Sequence, residues 1–201
     1  MHRAALVSLF LIFLVPTAGH TQTWQEFVSI EDRFRVYFPG DPMLEEIMYM
    51  VESEAIFADD VTIPARRWSV QLADEYYAVT MVNFAEHFPA HAPTVQGAMA
   101  HAATNLRRIA ILTEDITHDS YARYDRIPSH LLSINKPDSD RLYALIVLHQ
   151  DETLDARRLY IIEAHVGEGA PPPGLYQQSF RVFDATGQAL RYEPDGRTRQ
   201  E

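Results

Sequence analysis

The chain contains no cysteine. That excludes disulfide scaffolds, thiol nucleophiles, iron–sulfur clusters and cysteine-ligated zinc. It also removes the lipobox cysteine that a bacterial lipoprotein needs after its leader. Lysine occurs once, as Lys136, so arginine is the working base. Positive charge is scarce altogether: 17 basic residues face 28 acidic ones, a formal net charge of −11. Such a surface repels phosphate backbones, so nucleic acid is not an expected partner. The 8 glycines form no phosphate-cradling loop, and no Gly-x-Ser-x-Gly elbow is present. No apolar run reaches the roughly 20 residues that a membrane-spanning helix requires.

The one long apolar run lies at the start. Met1-His2-Arg3 is basic, Ala4 to Val15 is apolar apart from Ser8, and Pro16-Thr17-Ala18-Gly19 ends it with small residues. This three-part plan predicts a secretory signal peptide over 1–19, cut after Gly19. An uncleaved anchor is the alternative, disfavoured by the shortness of the run. The expectation is a soluble periplasmic or secreted protein with no membrane span in the mature chain, monomeric, with a domain over 20–184 and a polar extension over 185–201. With 47% hydrophobic residues and no disulfide, its stability must come from its core.

The rest of the chain reads mainly as strands. Phe34, Val36 and Phe38 share one face of a five-residue alternation that Pro39-Gly40-Asp41-Pro42 stops. Ile47 to Val51 and Val61 to Leu72 follow. Tyr76 to Phe84 and Leu142 to Leu148 are apolar on both faces, which marks central strands covered on both sides. Further strands are expected over 109–117, 121–126, 130–134 and 159–166. A helix starts near Thr94, because Val95, Ala98, Met99, Ala102, Leu106 and Ile109 form one apolar stripe. A short helix carries Tyr176, Ser179, Phe180 and Phe183, and Ala189 to Tyr192 can add a last strand. Short polar turns between elements favour antiparallel pairing.

Three motifs in this order are similar to those of a known family. They are Phe34-Arg35-Val36-Tyr37-Phe38-Pro39-Gly40-Asp41-Pro42 after the Glu31-Asp32-Arg33 turn, the strand Leu142-Tyr143-Ala144-Leu145, and the closing Tyr176-Gln177-Gln178-Ser179-Phe180. Together they resemble the PsbP-like superfamily over roughly Trp24 to Asp184. The resemblance implies an α+β fold: a single antiparallel β-sheet with helices packed on both faces, an α/β/α sandwich. It implies an assembly or binding role and no particular chemistry.

Histidine is the strongest chemical signal. His87 and His91 have the i, i+4 spacing of two imidazoles on one helical face, with Glu86 as an oxygen ligand and His101 on the following helix. These are zinc- or copper-type ligands. Pro89 between them breaks the helix that would bring the rings together, which favours solvated loop histidines. Glu163 and His165 share a face with Leu159 and Ile161. They mark either a pocket or a strand end clear of the sheet, and the second is expected because strand ends fray. Ser129 and His130 are adjacent, so on a strand they face opposite ways. The doublets Arg66-Arg67, Arg107-Arg108 and Arg157-Arg158 read as surface charge or as a convergent anion site. The balance is a non-enzymatic accessory or interaction module with a protein partner in the cell envelope. The alternative is a metal- or small-ligand-binding protein using the loop histidines.

Overall fold

The computed structural model describes residues 23–51, 61–84, 95–108, 110, 115–137, 140–150, 157–184 and 186–190. Among them are ten strands and two helices. In chain order they are β1 (Gln25–Ser29), β2 (Phe34–Phe38), β3 (Met43–Val51), β4 (Val61–Gln71), β5 (Tyr76–Asn83), α1 (Val95–Arg107), β6 (Ile116–Tyr124), β7 (Ile127–Asn135), β8 (Arg141–Gln150), β9 (Arg157–Val166), α2 (Gly174–Ser179) and β10 (Arg181–Val182). Seven strands form one antiparallel sheet in the order β3-β4-β5-β9-β8-β7-β6, and a second sheet has the order β1-β2-β10.

This corrects the expected α/β/α sandwich. One face of the large sheet is covered by α1, but the other is covered chiefly by a second sheet, with the six-residue α2 beside it. The reason lies in β2. Phe34, Val36 and Phe38 are fully buried while Tyr37 is exposed, so the β1–β2 ribbon has one apolar face and seals a sheet as an amphipathic helix would. Arg181 and Val182 then pair with Arg35 and Phe34 instead of extending the large sheet.

Asp32, in the β1–β2 turn, ties the two layers together. It is fully buried. Its Oδ2 accepts bonds from Ser29 Oγ (2.9 Å) and from Trp68 Nε1 on β4 (2.7 Å). Arg66 Nη1 lies 3.5 Å from Oδ1, and the Tyr160 hydroxyl on β9 donates to the Asp32 carbonyl (2.9 Å). A buried carboxylate held this way is paired and hydrogen-bonded, as burial demands.

As their two-sided apolar patterns predict, β5 and β8 lie inside the sheet. Of the helix stripe, Ala98, Met99, Ala102 and Leu106 are buried, joined by Ala103; the expected start at Thr94 and end at Ile109 lie outside the described residues. The sheet is strongly curved. Seven strands at about 4.8 Å spacing would make a flat ribbon roughly 29 Å wide, against a helix about 10–12 Å across. Yet one stretch of α1 touches both edges. His101 Nε2 donates to the Met50 carbonyl on β3 (3.0 Å), and Arg107 bonds Asp119 on β6 through Nε (2.6 Å) and Nη2 (2.8 Å). The sheet therefore curls around α1.

Candidate functional site

Strand register shows which side chains share the helix side of the sheet. Across β3, β4, β5, β9 and β8, one row runs Met43, Ser69, Ala78, Glu163, Ala144. The next runs Glu45, Arg67, Thr80, Ile161, Ile146, and at the end of the sheet Gln71, Tyr76, His165 and Leu142 line up. The apolar members of this face pack with α1. Apart from Ala78, the β4, β5 and β9 members at the far corner are polar: Arg67, Ser69, Gln71, Tyr76, Thr80, Glu163 and His165.

Within that corner Arg67 Nε donates to Thr80 Oγ1 (3.1 Å). His165 Nε2 lies 3.7 Å from Glu163 Oε1, and its ring stands edge-on to Tyr76 at 5.4 Å between centroids. Burial pushes the pKa of Tyr76 up, the Arg67 charge pulls it back, and Glu163 and Glu45 push it up again. The Tyr76 hydroxyl thus feels all three charges. A pocket of about 360 Å³ opens beside it, with Gln71, Tyr76, Lys136 and His165 among its walls.

The expectation that Glu163 and His165 sit on a frayed strand end fails. β9 is paired on both sides, to β5 through His165 and to β8 through Val166, and Glu163 is only 9% exposed. The sequence carried a usable signal here. Glu163 and His165 alternate on one face of the otherwise apolar run Leu159 to Val166, whereas Ala78 stands opposite the glutamate only through the order of the strands, β5 and β9 being far apart in the chain.

A second feature is the sheet's edge. Among the described residues β3 pairs with β4 alone, and β6 with β7 alone. β6 is blunted by a register irregularity between Ile116 and His118 and by Asp119 and Arg123, devices that discourage edge pairing. β3 also carries charges, Glu45 and Glu46, but runs nine residues with no register irregularity, and its Met43 (76%), Met48 (61%), Met50 (54%) and Leu44 (42%) are exposed. Leu44, Met48 and Met50 alternate onto one face, with Glu46 between them.

Glu86, His87 and His91 lie outside the described residues. His101, expected near them, is buried and committed to the Met50 carbonyl. Among the described residues no group of three metal-ligating side chains forms, and no helix is long and apolar enough to cross a membrane. The arginine doublets do not converge. Arg66 pairs with Glu31 and Asp32, and Arg107 pairs with Asp119 at the other edge. Ser129 and His130 face opposite ways, and the His130 Nε2–H meets Asp119 Oδ1 at 2.6 Å. Ser120 and His118 are hydrogen-bonded at 2.8 Å on exposed β6, with no carboxylate on the imidazole among the described residues. Ser133 and Lys136 have Ser-x-x-Lys spacing, which a helical turn would bring together. In the structure Ser133 is in β7, and Lys136 follows it, paired with Asp140.

No family model matches the chain, and no curated protein matches it. The likeness to PsbP-like domains rests on the three motifs alone.

Proposed function

We propose that the protein is an exported, non-enzymatic interaction module of the cell envelope that takes up an extended segment of a protein partner along β3. The leader over 1–19 supports export. The open edge of β3 carries the rest: an unbroken strand presents backbone donors and acceptors to an added strand, and alternate side chains set what that strand must bear. Glu45 and Glu46 on this edge, in a chain of net charge −11, call for Lys or Arg in the partner. Leu44, Met48 and Met50 call for apolar residues on one face. Methionine suits such a surface, being flexible and polarisable.

The test is site-specific photocrosslinking in the periplasm, with the probe at Met48 and, as control, at Tyr121 on β6. A defined adduct from Met48 alone is expected. The captured segment, made as a peptide, should bind the purified protein and weaken by roughly tenfold or more with Met48→Lys/Met50→Lys, or when its own basic residues are neutralised. Equal adducts from both edges, an adduct that is a second copy of this chain, binding indifferent to the lysines, or fractionation of the protein with the cytoplasm each overturns the reading.

A further inference from the structure

The chain has no cysteine, so methionine is its only sulfur. Past the leader the methionines are Met43, Met48, Met50, Met81 and Met99. They divide sharply by exposure. Met81 and Met99 are buried, at 7% and 1%, one in the layer between the sheets and the other where α1 meets the large sheet. Met43, Met48 and Met50 are each more than half exposed, and all three lie on the one edge strand β3. Susceptibility of sulfur to oxidants follows its exposure. Met48 and Met50 also share the face of β3 that bears Leu44, the face that meets apolar side chains of the partner segment. Met43 is on the opposite face.

We propose that Met48 and Met50 are a modification site: a peroxide converts them to methionine sulfoxide, and the oxidised edge releases its partner segment. The inference rests on the docking role of β3 and adds the regulation of that edge. With hydrogen peroxide the thioether sulfur takes one oxygen atom. An S–O bond forms, the O–O bond breaks, sulfur gives up two electrons, and the peroxide is reduced to water. The sulfoxide is polar where the thioether was apolar. On the free edge its oxygen faces water. Under a docked apolar side chain it loses that water and gains no donor, which burial penalises. Oxidation thus weakens the docked state and spares the fold, because the core methionines are shielded. A sulfoxide reductase reverses the step: two thiols become a disulfide and the oxygen leaves as water. Outside the cytoplasm, where the leader directs the chain, no glutathione pool competes for the oxidant.

The test treats the purified protein with hydrogen peroxide, removes the peroxide, and measures affinity for the peptide captured through Met48. Peptide mapping by mass spectrometry should find one added oxygen on each of Met43, Met48 and Met50 and none on Met81 or Met99, with circular dichroism unchanged. Affinity should fall by roughly tenfold or more, and methionine sulfoxide reductases for both epimers should restore it together with the original mass. Met48→Leu/Met50→Leu, compared with its own affinity before treatment, should lose nothing to peroxide although Met43 still takes its oxygen. Oxidation of Met81 or Met99 as fast as that of the edge methionines overturns the proposal. So does an equal loss of affinity in the double variant. Affinity that survives full oxidation of Met48 and Met50 overturns the regulation alone, whereas failure to capture any segment before oxidation overturns the docking role and the regulation with it.

Discussion

Asp119 shows how one side chain can fasten two elements. It sits on the β6 edge, accepts two bonds from Arg107 at the end of α1, and accepts a third from His130 on β7. The Arg107 guanidinium, and secondarily His130, hold its carboxyl below the usual aspartate range against the opposing pull of burial. A carboxylate with a lowered folded-state pKa stabilises the fold fully above its unfolded value, about 3.9. That contribution fades as pH falls through the folded value. Asp119→Asn should therefore cost roughly 1.5–3 kcal/mol at neutral pH, the range for hydrogen bonds to charged groups. The gap between variant and wild type should close on acidification below about pH 4. Urea unfolding at a series of pH values measures it, and a gap that persists undiminished in acid would show that Arg107 does not set the carboxylate's charge state. No motif in the sequence marks Asp119. Its role depends on α1 meeting β6 across the curl of the sheet, a contact that no local pattern encodes.

At the scale of elements, α1 was legible because its period is local: the stripe Ala98, Met99, Ala102, Leu106 is a property of consecutive turns. The three alanines Ala98, Ala102 and Ala103 are fully buried, so the helix seats closely on the sheet. Ala102→Leu should overpack that contact and cost about 1–3 kcal/mol, visible as a lowered urea midpoint, whereas Thr104→Leu on the exposed face should change stability little. Equal effects at the two positions would mean that α1 does not pack where the stripe says. The β6–β7 hairpin was read less well. Two short strands with a break were expected over 109–126, but β6 is one strand joined to β7 by Asp125-Arg126. Both turn residues have positive φ, 47° and 69°. Such two-residue turns are usually announced by Asn-Gly or Asp-Gly, and Asp-Arg announces nothing. β3 presents a related difficulty. Glu45 and Glu46 fall outside the strand expected over Ile47 to Val51, yet both lie in an edge strand where one side chain faces each way.

The whole molecule departs from its expected architecture because a one-sided ribbon and an amphipathic helix solve the same problem. Either seals an apolar sheet face, and the sequence of β2 fixes only that it has an inner side. The layer that results is rich in aromatic rings: Phe34, Phe38, Tyr160, Tyr176 and Phe180 are all fully buried there. Its tyrosines give the molecule a pH limit on the alkaline side. Burial raises the pKa of Tyr77, Tyr160 and Tyr176 above the ordinary value. An acid whose pKa is higher in the folded state than in the unfolded one contributes fully below the unfolded value, about 10 for tyrosine. Above it the unfolded chain releases protons that the folded chain keeps, so stability falls as pH rises. Each buried phenol adds on the order of 1.4 kcal/mol per pH unit to that decline. The urea midpoint should therefore hold steady to about pH 9 and drop steeply beyond about pH 10. Phenolate absorbance in the near ultraviolet should rise for the buried tyrosines only as the protein unfolds. If these three rings instead titrate while circular dichroism stays native, water reaches the space between the sheets, and the cohesion attributed to that layer is wrong.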